Sequence, residues 1–348
     1  MSKPIRVLGI ETSCDETAAA VVESGRHILS NVVAGQAAVH QPYSGVVPEL
    51  ASRAHAETIH NVLEAALKPQ TSRHADSFPK ALPVDAIAVT VGPGLMGSLL
   101  VGKSVAEVLA WVYQKPLIPV NHLEGHLYSV LPGSHDLEPP YLALIVSGGH
   151  TDLVHVEAFG RYHVLGRTRD DAAGEAFDKV ARMLGLGYPG GPVVDRLAQK
   201  GNPKAIAFPR PFLEGSWDFS FSGLKTAVLY YLRDNPDLLS SKKRVADVCA
   251  SFQAAVVDVL VGKTILAAEK LDLKHVVVTG GVASNSGLRA AFALHGKKHK
   301  VHAPSPLLCT DNAVMIAVAG TYKFLHRGPR KFTVESLASD STLALANW

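Results

Sequence analysis

The sequence predicts an α/β protein of two related domains, and a repeated order of elements is the main reason. Residues 6–23 (RVLGIETSCDETAAAVVE) read as an apolar strand, a polar turn and a second apolar strand; residues 141–157 (YLALIVSGGHTDLVHVE) repeat that plan around a glycine turn. Residues 84–102 (VDAIAVTVGPGLMGSLLVG) read as strand, Gly-rich turn and helix, and residues 274–292 (KHVVVTGGVASNSGLRAAF) do the same. Hairpin followed by strand–glycine–helix therefore occurs twice. The chain has 348 residues, 47% of them hydrophobic and 19% charged, enough to bury two cores and too apolar for disorder.

The remaining elements follow in order. Residues 48–67 (PELASRAHAETIHNVLEAAL) have helical periodicity and open with Pro48, a residue suited to the first helical position. Residues 100–114 continue a helix out of the first glycine turn, and residues 245–270 form a long amphipathic helix. Residues 185–223, rich in Gly, Pro and aromatics, read as an ordered, loop-rich stretch. The boundary is expected near residue 120. This gives an N-terminal domain over 1–120 and a C-terminal domain over 121–348 with an insertion at about 160–223. The last helix, from about Asn312, is expected to pack back toward the first domain. Both hairpin turns and both glycine turns would converge on one cleft. Glycine admits close backbone approach, and free N–H groups at a helix start attract phosphate. The arrangement resembles the actin, Hsp70 and hexokinase (ASKHA) superfamily, and so implies an actin-like two-domain fold with a central nucleotide cleft.

Composition narrows the setting. The N-terminus enters a strand-like run at once, without the basic, apolar and small-residue regions of a secretory signal. No uninterrupted apolar run approaches the ~18 residues that span a bilayer, so no membrane partner is expected. Cys14, Cys249 and Cys309 are widely spaced and odd in number, which suits a reducing, cytoplasmic compartment. The net charge of +3 is too small to prove a nucleic-acid partner. From Arg289 to Lys331, however, eight Lys/Arg (Arg289, Lys297, Lys298, Lys300, Lys323, Arg327, Arg330, Lys331) face one acid, Asp311. That stretch reads either as a solvated surface or as a phosphate-facing patch.

The chemistry-bearing residues stand in and beside the turns. His122 and His126 in NHLEGH lie at i and i+4, one face of a helix, where two imidazoles can share a metal or simply occupy the surface. A zincin needs its glutamate directly after the first histidine; here Glu124 comes two residues on, and the metalloprotease geometry is not met. SGGHT (147–151) suits an anion held by backbone N–H groups, or an ordinary tight turn. Asp170, Asp171, Glu175 and Asp178 crowd one segment more densely than a structural helix start needs. Asp311 stands at a helix start, where the usual role of an Asp is N-cap.

At this point ten motifs appear in order: GIETSCDET, SGVVPELASRAH, GPGLMGSLLVG, NHLEGH, VSGGHT, DDAAGEAFDK, GYPGGP, FSFSGLKTAV, GGVASN and CTDNAVMIA. Together, over roughly residues 7–318, the chain resembles the tRNA adenosine N6-threonylcarbamoyltransferase family (TsaD), in its bacterial or organellar branch. Ser44 and Ser284 stand where that family commonly has glycine and alanine. The resemblance implies a metal, Fe(2+) with Zn(2+) as the alternative, held by His122, His126 and Asp311. It implies a substrate-binding turn at Ile145, Val146, Ser147, Gly148 and Gly149, further substrate contacts at Asp178, Gly191, Asp195 and Asn285, and an acidic residue important for activity at Glu11. The donor would be threonylcarbamoyl-AMP, with ATP the other occupant of the cleft. The acceptor would be N6 of the adenosine 3′ of the anticodon in tRNAs reading ANN codons. Expected partners are tRNA, a TsaB-like paralogue, a TsaE-like ATPase and a separate threonylcarbamoyl-AMP synthase. The paralogue's docking face is expected around residues 48–67. Rival readings are a metalloprotease and a sugar-kinase-like ATP-binding protein.

Overall fold

Two five-stranded sheets with the same topology organise the computed structural model, which describes residues 3–68, 81–134, 136–295, 298–328 and 338–348. The first sheet holds β1 (Arg6–Glu11), β2 (Glu16–Glu23), β3 (His27–Gly35), β4 (Ala86–Gly92) and β5 (Leu117–Asn121), in the order β3-β2-β1-β4-β5. β1 pairs antiparallel with β2 and parallel with β4, and β4 runs parallel to β5. The second holds β6 (Tyr141–Val146), β7 (Thr151–Ala158), β8 (Arg161–Arg167), β9 (His275–Thr279) and β10 (Lys300–His302), in the order β8-β7-β6-β9-β10. β6 pairs antiparallel with β7 and parallel with β9, and β9 with β10. The duplicated plan is thus present, with a third hairpin strand and an outer parallel strand added to each copy. This is the actin-like, doubled α/β fold.

The residues fall into two units. The first comprises Met1–Leu137, Phe159–Arg161 and Thr310–Trp348; the second, Glu138–Ala158 and Tyr162–Cys309. Residues 121–137 therefore sit with the first unit, beyond the boundary expected near 120. The reason is local: the histidine-bearing helix that follows β5 stays packed on the unit that β5 belongs to.

In the first unit lie α1 (Ala37–His40), α2 (Pro48–Leu67), α3 (Met96–Tyr113) and α4 (His122–Tyr128). Pro48 starts α2 at the expected residue, after an extended Val47. The core joins Leu8, Ile10 and Val21 of the sheet to Ile59, Val62 and Leu63 of α2 and Ala106 and Leu109 of α3. Each large apolar side chain so buried contributes about 1.5–3 kcal/mol before entropy is counted.

The second unit holds α5 (Ala173–Met183), α6 (Gly190–Ala198), α7 (Ser222–Arg233), α8 (Lys242–Lys270), α9 (Ser286–Ala293) and α10 (Pro306–Cys309). The insertion expected at about 160–223 is more regular than its composition suggested, since β8, α5 and α6 fall within it. The remaining loop is anchored by Lys263 of α8. Its buried ammonium donates to the carbonyls of Leu213 (3.4 Å), Ser216 (2.9 Å) and Asp218 (2.5 Å), filling all three donors. Phe177 of α5 and Phe252 of α8 meet edge to face at 5.1 Å within this unit's core. Finally α11 (Ala313–Arg327) belongs to the first unit and packs on β1, β2 and β4.

Contrary to the expectation from uninterrupted runs, two helices among the described residues, α3 and α8, are long and apolar enough to cross a membrane by length and composition. Isolated charges break each run without removing its apolar character. α8 buries most of its length in the second core, whereas α3 leaves much of its own exposed. The exposed part of α3 carries Leu100, Val108, Trp111 and Val112.

Candidate functional site

The predicted site residues separate by unit. In the first, Asn121 closes β5 and caps α4, its Oδ1 accepting the N–H groups of Leu123 (2.9 Å) and Glu124 (3.4 Å). The i, i+4 spacing then stacks His122 and His126 on one face, ring centroids 4.8 Å apart. Gly125 lies between them because a Cβ there would meet Ile316 Cδ1 of α11 at 2.8 Å. That close approach brings the start of α11 to the histidines. Asn312, not Asp311, caps α11, accepting the Met315 N–H at 3.1 Å. Asp311 is thus released from the capping role its position suggested, and its Oδ1 stands 3.5 Å from His122 Nε2 and 3.2 Å from His126 Nε2.

These three side chains offer ligand atoms within 4.8 Å of one another and can hold a metal ion. The fit rests on His126. It is fully buried, and neither ring nitrogen finds a hydrogen-bond partner among the described residues, an expensive arrangement unless something else takes a lone pair. Two imidazoles and a carboxylate suit iron or zinc.

Glu11, fully buried at the end of β1, lies behind His122. Its Oε1 accepts the Ser13 N–H at 2.5 Å, and its Oε2 accepts the Thr90 hydroxyl at 2.7 Å and stands 3.1 Å from His122 Nδ1. A carboxylate on Nδ1 fixes the tautomer that leaves Nε2 facing Asp311. Burial pushes His122 down, but Asp311 and Glu11 outweigh it and hold the ring up at about 9. Burial likewise pushes Glu11 up, and the charge and hydrogen bond of His122 reverse this to hold the carboxyl below its usual range.

Glu124, the residue a protease reading would need as a free base, is buried and committed elsewhere: Oε2 pairs with Lys323 Nζ at 3.2 Å and Oε1 accepts the Trp348 indole N–H. Ser13, Thr90, Asn121 and Trp348 were not singled out by the sequence reading, and Lys323 was counted only in the basic stretch. Most of them act across long stretches of chain, where no periodic pattern signals them.

In the second unit, Ile145 and Val146 are wholly buried in β6, so their side chains face the core and only main-chain atoms remain to offer. Ser147 begins the turn, its N–H donating to His150 O at 2.8 Å and its hydroxyl accepting the His150 N–H at 3.1 Å. Cβ atoms on Gly148 or Gly149 would meet nothing within 4 Å, so this turn is open. Asp178 accepts the Gly190 N–H at 2.7 Å and steadies the start of α6, where Gly191 also borders open space. Asp195 of α6 accepts from Ser286 N–H (3.1 Å) and Oγ (2.7 Å) at the start of α9. Asn285 caps α9 through the Leu288 N–H (2.9 Å) and donates to Gln253 Oε1 (2.8 Å). Asp178, Asp195 and Asn285 thus tie the starts of two helices, α6 and α9, to their neighbours.

The acidic crowd at 170–178 proves to have structural occupation for every member. Asp170 accepts from Ser220, Phe221 and Ser222 and caps α7; Asp171 pairs with Lys179 and Lys225, each at 2.7 Å; Glu175 pairs with Lys179. The basic stretch is also thinner than its count. Arg289 donates to the Ala283 and Pro304 carbonyls, Lys323 is buried on Glu124, and Lys298 pairs with Glu269. Lys297, Arg330 and Lys331 lie outside the described residues.

Comparison with known proteins places this geometry. Component A of (R)-2-hydroxyglutaryl-CoA dehydratase from Acidaminococcus fermentans superposes with a TM-score of 0.55 at 18% identity, covering 92% of this chain and 98% of that one. HypF from T. kodakarensis superposes with a TM-score of 0.59 at 14% identity, over 94% of this chain and 50% of that one. At such identities these likenesses show the fold alone. Sequence relatives are much nearer. The tRNA N6-adenosine threonylcarbamoyltransferase of Endomicrobium trichonymphae is 51% identical over 346 residues, 99% of each chain, and that of Geotalea uraniireducens (strain Rf4) is 54% identical over 334 residues, 95% of each. The family model for tRNA N6-adenosine threonylcarbamoyltransferase (TsaD) matches residues 27–318. The chain belongs to the tRNA N6-adenosine threonylcarbamoyltransferase family, in its bacterial form.

Proposed function

We infer that the chain performs its family's reaction, transfer of a threonylcarbamoyl group from threonylcarbamoyl-AMP to N6 of the adenosine 3′ of the anticodon in tRNAs reading ANN codons, and that His122, His126 and Asp311 hold the metal it uses. The carrying observation is the buried His126, its Nδ1 without a hydrogen-bond partner among the described residues and its Nε2 facing the Asp311 carboxylate at 3.2 Å. Fe(2+) is our first choice and Zn(2+) the alternative. When bound, the metal supplies Lewis acidity toward the donor's carbonyl oxygens.

The acceptor amine is a weak nucleophile because its lone pair is conjugated with the ring, so positioning and activation of the electrophile carry the burden. Glu11 holds His122 in the ligating tautomer from behind, a positioning role. Gly148 and Gly149 present main-chain N–H groups in the open turn braced by the Ser147–His150 bonds, and Gly191 presents another at the start of α6, suited to the adenylate phosphate or to ATP. Ile145 and Val146 fix where that turn emerges from the sheet. Asp178, Asp195 and Asn285 keep the surrounding helix ends in place.

The adenosine lies in a single-stranded loop, where its edges are accessible. Lys298, Lys300 and Arg327 are our remaining candidates for tRNA backbone contact within the described basic stretch. A TsaB-like paralogue, a TsaE-like ATPase and a separate threonylcarbamoyl-AMP synthase complete the system. For the paralogue we favour α3 over the stretch 48–67 first considered, because α3 exposes Trp111 at 70% and Val108 at 59%. Three free thiols suit a reducing cytoplasm.

The test is nucleoside analysis of tRNA incubated with the protein, its partners and prepared threonylcarbamoyl-AMP. A threonylcarbamoyladenosine peak that requires the chain and vanishes with His122→Ala supports reaction and site. Full transfer by that variant rejects the metal assignment.

A further inference from the structure

We propose that the C-terminal residues 340–348 form a strap that positions the histidine-bearing helix α4, with Trp348 as its positioning residue. α4 has seven residues, too few for a helix to be stable or rigid by itself. Its orientation must come from what surrounds it, and the strap meets it at both ends and in the middle.

The strap begins on the first sheet, where the Asp340 N–H donates to Val91 O at 2.9 Å and Ser341 O accepts the Gly94 N–H at 3.2 Å. It then passes the start of α4. Asn121 donates its amide to Leu343 O (3.2 Å) and Ala344 O (3.1 Å), while its other side-chain atom caps the helix. The cap is therefore aimed by the strap. In the middle, the Trp348 indole N–H donates to Glu124, whose other oxygen pairs with Lys323, itself bound to Pro119 O at 3.0 Å. At the far end, the Trp348 N–H donates to Gly160 O at 3.0 Å, and the Gly160 N–H donates to the Tyr128 hydroxyl at 3.2 Å. Gly160 has φ +82°, and a Cβ there would meet the Trp348 ring at 2.8 Å, so the indole fits only against glycine.

Glu124 gives the strap its leverage. Two residues past His122 it lies about 200° around the helix axis. Fixing Glu124 on one side sets the rotation of α4 about that axis, and with it the direction in which His122 and His126 point. Groups behind metal ligands commonly change affinity by about 10- to 100-fold when lost, and Trp348 acts one step further back, through the helix.

The functional consequence rests on the metal reading above, so the experiment has two arms. Trp348→Ala removes ring and donor; Trp348→Phe keeps a ring and removes the N–H. Hydrogen exchange of the peptide covering 121–128 is measured in metal-free protein, and Zn(2+) affinity is measured by competition with a chromophoric chelator. Faster exchange in both variants is expected, with zinc affinity down about 10-fold in Trp348→Ala and less in Trp348→Phe. Val259→Ala, a core change in the second unit, should lower thermal stability and leave both readouts unmoved. Unchanged zinc affinity in the Trp348 variants overturns the proposal even if thermal stability falls, since a merely structural tail would do just that. If Trp348→Ala does not fold, Trp348→Phe decides. If the parent protein and His126→Ala bind zinc alike, the metal reading fails instead, and unaltered exchange over 121–128 would then overturn the strap.

Discussion

The two units share one strand plan and divide sharply in chemistry. In the first, the hairpin turn after β1 carries buried side chains that back a histidine, and β5 leads straight into α4 with its two imidazoles. In the second, the corresponding turn after β6 is open glycine backbone, and β10 leads through a loop to the four-residue α10. Burial and pairing set the sheets, and they tolerate nearly any residue at the turns. The turns and strand ends are therefore where two copies of one skeleton diverge, one into a buried cluster of histidine and acid side chains and the other into an open backbone turn.

The comparison breaks most visibly if a first-unit change is felt in the second. His126→Ala should abolish metal binding and lower transfer by about 10³-fold, the several kcal/mol a Lewis acid contributes, with the circular-dichroism spectrum retained. Metal titration and nucleoside analysis check this. Glu11→Gln keeps the shape behind His122 and removes the charge; metal affinity should fall by about 10- to 100-fold, read by the same titration. Asp195→Ala tests the other unit. Losing both bonds to Ser286 should cost about 1–3 kcal/mol of stability in chemical denaturation and raise KM for the donor, with metal affinity unchanged.

A smaller effect follows from His302 on β10, bonded to His275 at 2.9 Å. Burial, then the nearby His275 and Lys300 charges, hold His302 down at about 4. The unfolded chain binds the proton more readily, so the stability this histidine contributes is complete above about pH 6.5 and is lost as pH falls toward 4. Thermal melts across that range should show the decline, and His302→Asn should flatten it. Smallest is Lys298→Glu, an exposed partner of Glu269. tRNA affinity should weaken modestly and its salt slope decrease by about one; an unchanged salt titration would remove Lys298 from the interface.

Much of this was legible in the sequence where the signal was local. Pro48 and the periodicity behind it marked α2 to the residue, and the i, i+4 histidines marked one face of α4. β3 was missed because it is a largely exposed strand with little apolar alternation, and β10 because three residues carry no period. Asp311 could be joined to the histidines only through the family pattern, since 185 residues separate it from the nearer one and spacing says nothing at that range. Spacing likewise misread the acids of 170–178, whose partners on α7 and α6 are set by tertiary packing.

The close seat of α11 on the first sheet has a consequence for how the protein is made. A Cβ on Gly9 would meet Ala317 N at 2.7 Å, so nothing but this small-residue helix can complete that face of β1. On the ribosome, residues 310–348 emerge only after the whole of the second unit. The face of the first sheet that α11 covers therefore stays open while some 170 later residues are added, although α2 and α3 can already cover the other face, and an exposed apolar face of that kind invites aggregation until the helix arrives.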